Sequence, residues 1–379
     1  MKILIAPNSF KECASSVAVS RMLREFLSKE IAGAQFTELP LSDGGDGFYK
    51  VCRDAFSLEE LSVEVPDCIG EKRITVPLGY NADEETVYIE SADVFGLKTI
   101  AKEKRDIGSS SSFGLGRILK KIYELHLEGM KIKKIVIGLG GSAINDFGMG
   151  VFVSLGGKII SDSVHEHNYL PNHFPSVTSL ELPKRKFPIP IELVLDVESD
   201  LTGGKGTTLT FAKQKGASDA QVKELENFGN FVVQHCRDKF GLDFSESKIG
   251  ASGGVALGLG LCADVTNTPA KEFILDKLNA GSFIRSHDII ITGEGSFDKQ
   301  SMMNKATGVA IEKAIELNKQ VIVICGKADT QLLERIDSRI ICVELLKYFD
   351  SVEKSIADFG YGLELGCKEV GELIKQNIR

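Results

Sequence analysis

The apolar pattern opens on a short β-branched run, residues 2–6, which is stopped by Pro7-Asn8-Ser9. Val17, Val19, Met22, Leu23, Phe26, Leu27 and Ile31 then recur at near-helical spacing and predict an amphipathic helix. Two starts for it are open: Ser9 with Glu12 as a capping box, or a later cap at Ser15-Ser16. A second strand, residues 36–41, runs into Asp43-Gly44-Gly45-Asp46-Gly47. This β–α–β opening is the beginning of a parallel sheet.

The pattern changes between residues 61 and 97. Residues 62–65, 73–77 and 86–90 alternate or carry β-branched side chains, with Gly70 and Asn81 at turns, predicting an antiparallel patch. A helix over 115–125 leads to a strand at 134–138 and a glycine loop, and residues 161–186 form a polar excursion with His165, His167 and His173. The last third returns to α/β alternation. Strands at 288–292, 321–325 and 339–345 are separated by helical patterns at 307–317 and 329–337, and a helix closes the chain over 352–378. The predicted fold class is therefore α/β. Both chain ends build one parallel-sheet domain (1–66 and 287–379), and a mixed α/β domain (67–286) is inserted between them.

Composition sharpens this picture. Glycine is over-represented at 38 of 379 residues while proline is scarce at 10, and there is no collagen-like period, so the glycines mark sharp turns or close approaches to a ligand. The net charge of −8, without a long basic run, argues against nucleic acid and anionic membranes as partners and points to a small-molecule substrate. Eight cysteines stand singly, without CxxC or zinc spacing, and several lie in apolar stretches such as those of Cys325 and Cys342. With no apolar run of membrane-spanning length and no signal-peptide core, a reduced, cytoplasmic protein is expected. A homo-oligomer is left open.

Glycine clusters occur at 43–47, 138–146, 201–208, 250–260 and 292–295, most of them with a carboxylate inside or close behind. Successive glycines after a strand let amide N–H groups converge on a phosphate. Adjacent carboxylates suit Mg²⁺, which takes one or two acidic ligands together with phosphate oxygens. There is no Walker A motif, because Leu201-Thr202-Gly203-Gly204-Lys205-Gly206 places glycine after the lysine. Gly140-Gly141-Ser142-Ala143 lacks the last glycine of a GxSxG elbow, no HExxH occurs, and Asp146-Phe147-Gly148 lacks the rest of a protein-kinase set. Gly138-x-Gly140-x-x-Ala143 is the serious rival, a dinucleotide fingerprint that would make the protein an NAD(P)-dependent oxidoreductase. With no obvious nucleophile or histidine base, chemistry by positioning and electrostatics favours phosphoryl transfer.

These residues resemble the bacterial-type glycerate kinase family, whose members phosphorylate D-glycerate with ATP and Mg²⁺. The resemblance is carried by APNSFKE (6–12), DGGDG (43–47), GLGGSAIND (138–146), QKGAS (214–218), GASGG (250–254) and TGEGSFDKQS (292–301). It implies a Rossmann-like domain with a second α/β domain inserted, an active site in the cleft between them, and 2-phosphoglycerate ahead of 3-phosphoglycerate as product. Within such a site Lys11 is the best cation for phosphate, and Asp43 and Asp46 would hold Mg²⁺ or take the hydroxyl proton. Gly140, Gly141 and Ser142 would cradle phosphate, with Asn145 and Asp146 behind them as substrate or catalytic contacts. Glu294 and Gly295 are assigned to the nucleotide, Asp196 and Asp298 to the metal, and Ser110, Ser111 and Ser112 to the substrate carboxylate. The chain departs from the family pattern at Asn8 (usually Asp), Phe48 (Thr), Phe147 (Gly), Ser199 (Asn) and Ser296 (Arg), and around residues 304–307. A catalytically weakened member that binds a nucleotide or metabolite is the remaining alternative.

Overall fold

The computed structural model describes residues 1–195, 199–245, 247–303, 305–329, 336–337 and 339–377. Among them the strands are β1 (Lys2–Ile5), β2 (Gln35–Glu38), β3 (Glu59–Pro66), β4 (Arg73–Asn81), β5 (Thr86–Glu90), β6 (Lys134–Leu139) and β7 (Lys158–Ser161). They continue with β8 (Val177–Glu181), β9 (Phe187–Leu195), β10 (Ala263–Pro269), β11 (Ile289–Phe297), β12 (Gln320–Ala328) and β13 (Ile340–Glu344). The chain divides into two compact units, residues 1–43 with 269–379, and residues 44–268.

In the first unit five strands form one sheet in the order β13-β12-β11-β1-β2, and every pairing is parallel. Runs such as Ile289-Ile290-Ile291 and Val321-Ile322-Val323-Ile324 are buried on both faces, as an all-parallel sheet requires. One face, with Ile3, Ile5, Ile291 and Ile324, packs on the helices Ser16–Glu30 and Phe359–Asn377. Val19, Leu23 and Leu27 of the first helix recur at i, i+4 and i+8 and are 1% exposed or less; each such burial contributes about 2 kcal/mol. Ser15 caps this helix by accepting from the Ala18 amide, which decides between the two predicted starts. The chain leaves β1 to one side for β2, and β11 to β13 continue on the other. The sheet therefore has its topological switch point between β1 and β11, and open α/β sheets bind ligands outside the carboxyl ends of such strands.

The second unit holds a six-stranded mixed sheet in the order β10-β9-β6-β5-β4-β3. β3, β4 and β5 pair antiparallel, as their alternation predicts, whereas β5, β6 and β9 pair parallel. The helix Phe113–Leu127 buries Leu115, Ile118, Leu119 and Ile122 in this unit's core. Within the polar stretch 161–186, β8 pairs antiparallel with β7.

The observed units differ from the expected boundaries at 66/67 and 286/287. Helix Phe48–Phe56 packs on β4 and β5, and β3 pairs along its length with β4, so the chain enters the second unit at Gly44. Helix Ala280–Ser286 packs on β1 and on helix Ala306–Glu316, so the return falls at Pro269. β11 and β12 run on through Gly293 and Gly326, beyond the strand ends expected at 292 and 325. The closing helix is two, Val352–Ala357 and Phe359–Asn377. Most of the helix expected at 329–337 lies outside the described residues.

Candidate active site

The switch point of the first unit gathers several of the expected residues. Beyond β1, the Asn8 amide donates to the Gly293 carbonyl at 2.8 Å, and Leu41 N–H donates to the Pro7 carbonyl at 2.9 Å. These bonds carry β1 and β2 onward and bring Asn8 to Asp43. Asn8 Nδ2 donates to Asp43 Oδ2 at 3.3 Å, and Asn8 Oδ1 accepts from Ser9 N–H at 2.8 Å. Glu294, on β11, is only 6% exposed, and its Oε1 has no hydrogen-bond partner among the described residues. Burial pushes its carboxyl above the ordinary value and the nearby Asp43 charge adds to the rise, while Lys305, Ser301 and Thr307 act against it. Lys11 is exposed in the turn after Phe10, and its backbone packs beside Gly295. Ser296 carries no charge, but its register partner on β12 is Lys327, and both are exposed.

In the second unit the glycine loop after β6 interlocks with the start of helix Phe48–Phe56. A Cβ on Gly140 would lie 2.6 Å from Gly45 Cα, so only glycine permits this approach. Gly141 adopts φ +65°, and a Cβ there would come within 3.2 Å of Asp46 Oδ2. Leu97 N–H donates to the Gly141 carbonyl and Ala143 N–H to the Phe95 carbonyl; the Gly141 and Ser142 N–H groups have no acceptor among the described residues. Behind the loop, Lys215 is 4% exposed and donates from Nζ to Ser142 Oγ at 3.0 Å and to the Ile144 carbonyl at 2.7 Å. A buried ammonium and amides without acceptors suit an anion. Asp46 pairs with Lys98 at 3.1 Å, and the same ammonium pairs with Glu90 at 2.8 Å and Asp93 at 3.1 Å. Glu90 in turn accepts from Gly47 and Tyr49 N–H, completing the helix start that Gly47 cannot cap with a side chain.

Other expected residues are placed differently. Asp146 is fully buried, and its carboxylate accepts from Ser112 N–H and Oγ–H, Gly148 N–H and Gly150 N–H. So bonded, it ties the starts of helices Phe113–Leu127 and Met149–Ser154 together. Ser112 is spent on the same knot. Ser110 donates to the Asp106 carbonyl, and Ser111 is 4% exposed, so the three serines do not present a row of hydroxyls to a ligand. Asp298 caps the short 3₁₀ turn Lys299–Met302, accepting from Gln300 N–H at 2.7 Å. Asn145 is fully buried, donates to Thr208 Oγ1 at 3.2 Å and keeps Oδ1 without a partner among the described residues. Asp196 lies outside the described residues. The dinucleotide reading fails on geometry, because residue 143 opens no helix and the next begins at Met149.

Two of the departures are structural. Phe147 is fully buried at φ +53°, with its ring 6.0 Å from that of Phe228. A Cβ on Gly229 would lie 2.7 Å from the Phe147 ring, so glycine on the neighbouring helix makes room for it. Phe48 is likewise fully buried, against Gly138. Lys215, Lys98 and Lys305 were missed as functional candidates. Lys215 lay within the QKGAS string, and a lysine directly before a glycine was the available signal.

A sequence model described as the glycerate kinase family matches residues 3–375. The chain belongs to the glycerate kinase family. Membership makes it a kinase, an enzyme of the phosphotransferase class. Glycerate kinase of Haemophilus influenzae is 30% identical over 337 residues, covering 86% of each chain. Glycerate 2-kinase of Escherichia coli K12 is 30% identical over 86% of this chain and 85% of its own. Glycerate kinase of Neisseria meningitidis serogroup B is 29% identical over 99% of both. Among solved structures, a Salmonella typhimurium LT2 protein assigned as glycerate kinase 2 superposes over 100% of both chains with TM-score 0.74 and 26% identity. The family's α/β fold and kinase class agree with the sequence expectation. No helix among the described residues is long and apolar enough to cross a membrane.

Proposed function

We propose that the protein transfers the γ-phosphoryl group of ATP to the 2-hydroxyl of D-glycerate in the presence of Mg²⁺. The observation that carries the metal-dependent part is the buried Glu294 carboxylate, whose Oε1 has no partner among the described residues and which sits beside Asp43 at the switch point of a parallel sheet. Hard oxygen donors, few in number, match a cation that completes its shell with phosphate oxygens and water. Glu294 would hold Mg²⁺, which when bound offsets the charge of the transferring phosphoryl group.

Asp43 accepts the hydroxyl proton as the oxygen attacks phosphorus, while Asn8 fixes its carboxylate through Nδ2. Lys11 and Lys327 supply exposed positive charge at the same edge of the first unit. In the second unit, Gly140, Gly141 and Ser142 with Lys215 behind them bind nucleotide phosphate, and Asn145 Oδ1 takes a hydroxyl donor. Asp46 acts through Lys98, holding the glycine loop against Gly45. The 2-position follows the printed name of the Escherichia coli relative.

Coupled ADP release with D-glycerate tests this reading. Asp43→Asn is expected to lower kcat by about 10²- to 10⁴-fold, and Lys11→Ala by about 10²-fold. No turnover by the parent, or variants that match it, would overturn the proposal. ATP binding without transfer to any hydroxy acid would identify a sensor instead.

A further inference from the structure

Two thiols outside the proposed machinery face each other on adjacent strands. Cys325 on β12 and Cys342 on β13 bring their sulfurs to 3.7 Å, and both are free. Val323 pairs with Cys342 and Cys325 with Glu344, so the two cysteines are offset by two residues and share one face of the sheet. Cys325 is fully buried and Cys342 half-buried. β13 is the last strand of its sheet among the described residues. A disulfide needs the sulfurs at about 2.05 Å, a closure of about 1.7 Å, and because the two residues are diagonal neighbours and not register partners, joining them requires the outer strand to move.

We propose that Cys325 and Cys342 form a dithiol modification site that a peroxide closes to a disulfide, and that closure lowers the activity of the neighbouring site. The half-buried Cys342 thiolate attacks one peroxide oxygen, giving a sulfenic acid and water. Cys325 sulfur then attacks that sulfur and a second water leaves, so two electrons and two protons pass from the thiols to the peroxide. The effect reaches the site through the backbone. Cys325 is the register partner of Glu294, and the next residue, Gly326, packs so tightly that a Cβ would lie 2.4 Å from the Gly295 carbonyl oxygen. Drawing Cys325 toward β13 therefore disturbs the carboxylate beside it. Among the described residues the other six cysteines have no thiol partner at comparable range, and five of them are buried, which makes this pair the expected target.

The test treats the full chain with stoichiometric hydrogen peroxide, alkylates remaining thiols under denaturing conditions and maps the peptides. A 325–342 cross-link that is lighter by two hydrogens and reversed by dithiothreitol is expected. ADP release should fall several-fold and recover on reduction. Cys342→Ser should give no cross-link and no peroxide sensitivity at low dose. Independently of any variant's folding, phenylarsine oxide should bind the unmodified protein once, held by both sulfurs and removed by a dithiol but not a monothiol. Full alkylation of both cysteines after peroxide, or a cross-link with unchanged ADP release, would overturn the proposal. The activity arm rests on the kinase reading above. Peptide mapping and arsenical binding do not, so failure of one is distinguishable from failure of the other.

Discussion

Replacing Asn8 by aspartate probes the switch-point site directly. Asn8 Nδ2 lies 3.3 Å from Asp43 Oδ2 and donates to it. In Asn8→Asp that donor becomes an acceptor of like charge at the same separation. Two unit charges there repel by about 1.3 kcal/mol at the dielectric of bulk water and by about 5 kcal/mol at an effective dielectric of ~20. Since one pH unit corresponds to about 1.4 kcal/mol, the second ionisation of the pair should rise by between about 1 and about 4 pH units. If Asp43 must be ionised to take the hydroxyl proton, the acid limb of kcat/KM moves to higher pH by that amount. Added Mg²⁺ should pull the limb back, because a divalent cation between two carboxylates favours their ionised forms. The assay is a pH series of ADP release at low and saturating Mg²⁺, with folding checked by circular dichroism at each pH. An acid limb that stays in place, or moves to lower pH, would refute both the proton-accepting role of Asp43 and the positioning role of Asn8.

Other expectations follow from single residues. Glu294→Gln should remove an acid limb that lies above the ordinary carboxylate range, because burial raises this carboxyl and it must be ionised to hold a cation; a pH profile identical to the parent's would contradict this. Lys215→Met should raise the KM for ATP about tenfold or more while leaving kcat less affected, as a charged hydrogen-bond donor beneath the loop is worth about 1.5–3 kcal/mol; an unchanged KM removes Lys215 from phosphate binding. Asp146→Asn should cost about 2–4 kcal/mol of unfolding free energy in urea, because the carboxylate accepts four donors. Full stability with lost turnover would instead make Asp146 catalytic. Phe147→Gly should destabilise by about 2–3 kcal/mol net, with core truncation costing about 3–5 and relief of the left-handed backbone returning about 1–2. A gain in stability would show that the ring is not packed as described.

Much of the fold was readable in the sequence because its signals are local. Continuous apolar runs such as those at 289–292 and 321–325 announce buried parallel strands, and the alternation at 62–65 and 73–77 announces an antiparallel pair. The domain boundary was less legible because it falls inside the Asp43–Gly44 peptide, where composition does not change. Strand order was not legible at all, since pairing β1 with β11 joins residues almost 290 positions apart. For the site, glycine spacing pointed to the loop at 138–146, yet it gave no sign that Asp146 and Ser112 are buried and bonded to each other. Residue type does not report whether a carboxylate meets solvent or four donors. Lys215 escaped for the converse reason, since its relation to Ser142 exists only after folding. Asp298 shows the ambiguity at its simplest, because an aspartate after a glycine-rich strand end serves a turn as readily as a metal.

The central claim, phosphoryl transfer from ATP to D-glycerate at the 2-hydroxyl, is most directly tested by ³¹P NMR of the mixture formed by the protein with ATP, Mg²⁺ and D-glycerate. The account predicts growth of ADP resonances together with a single phosphomonoester that coincides with added 2-phosphoglycerate. A product that coincides with 3-phosphoglycerate would contradict the regiochemistry. ATP that is unchanged, or that yields only inorganic phosphate, would contradict the transfer itself.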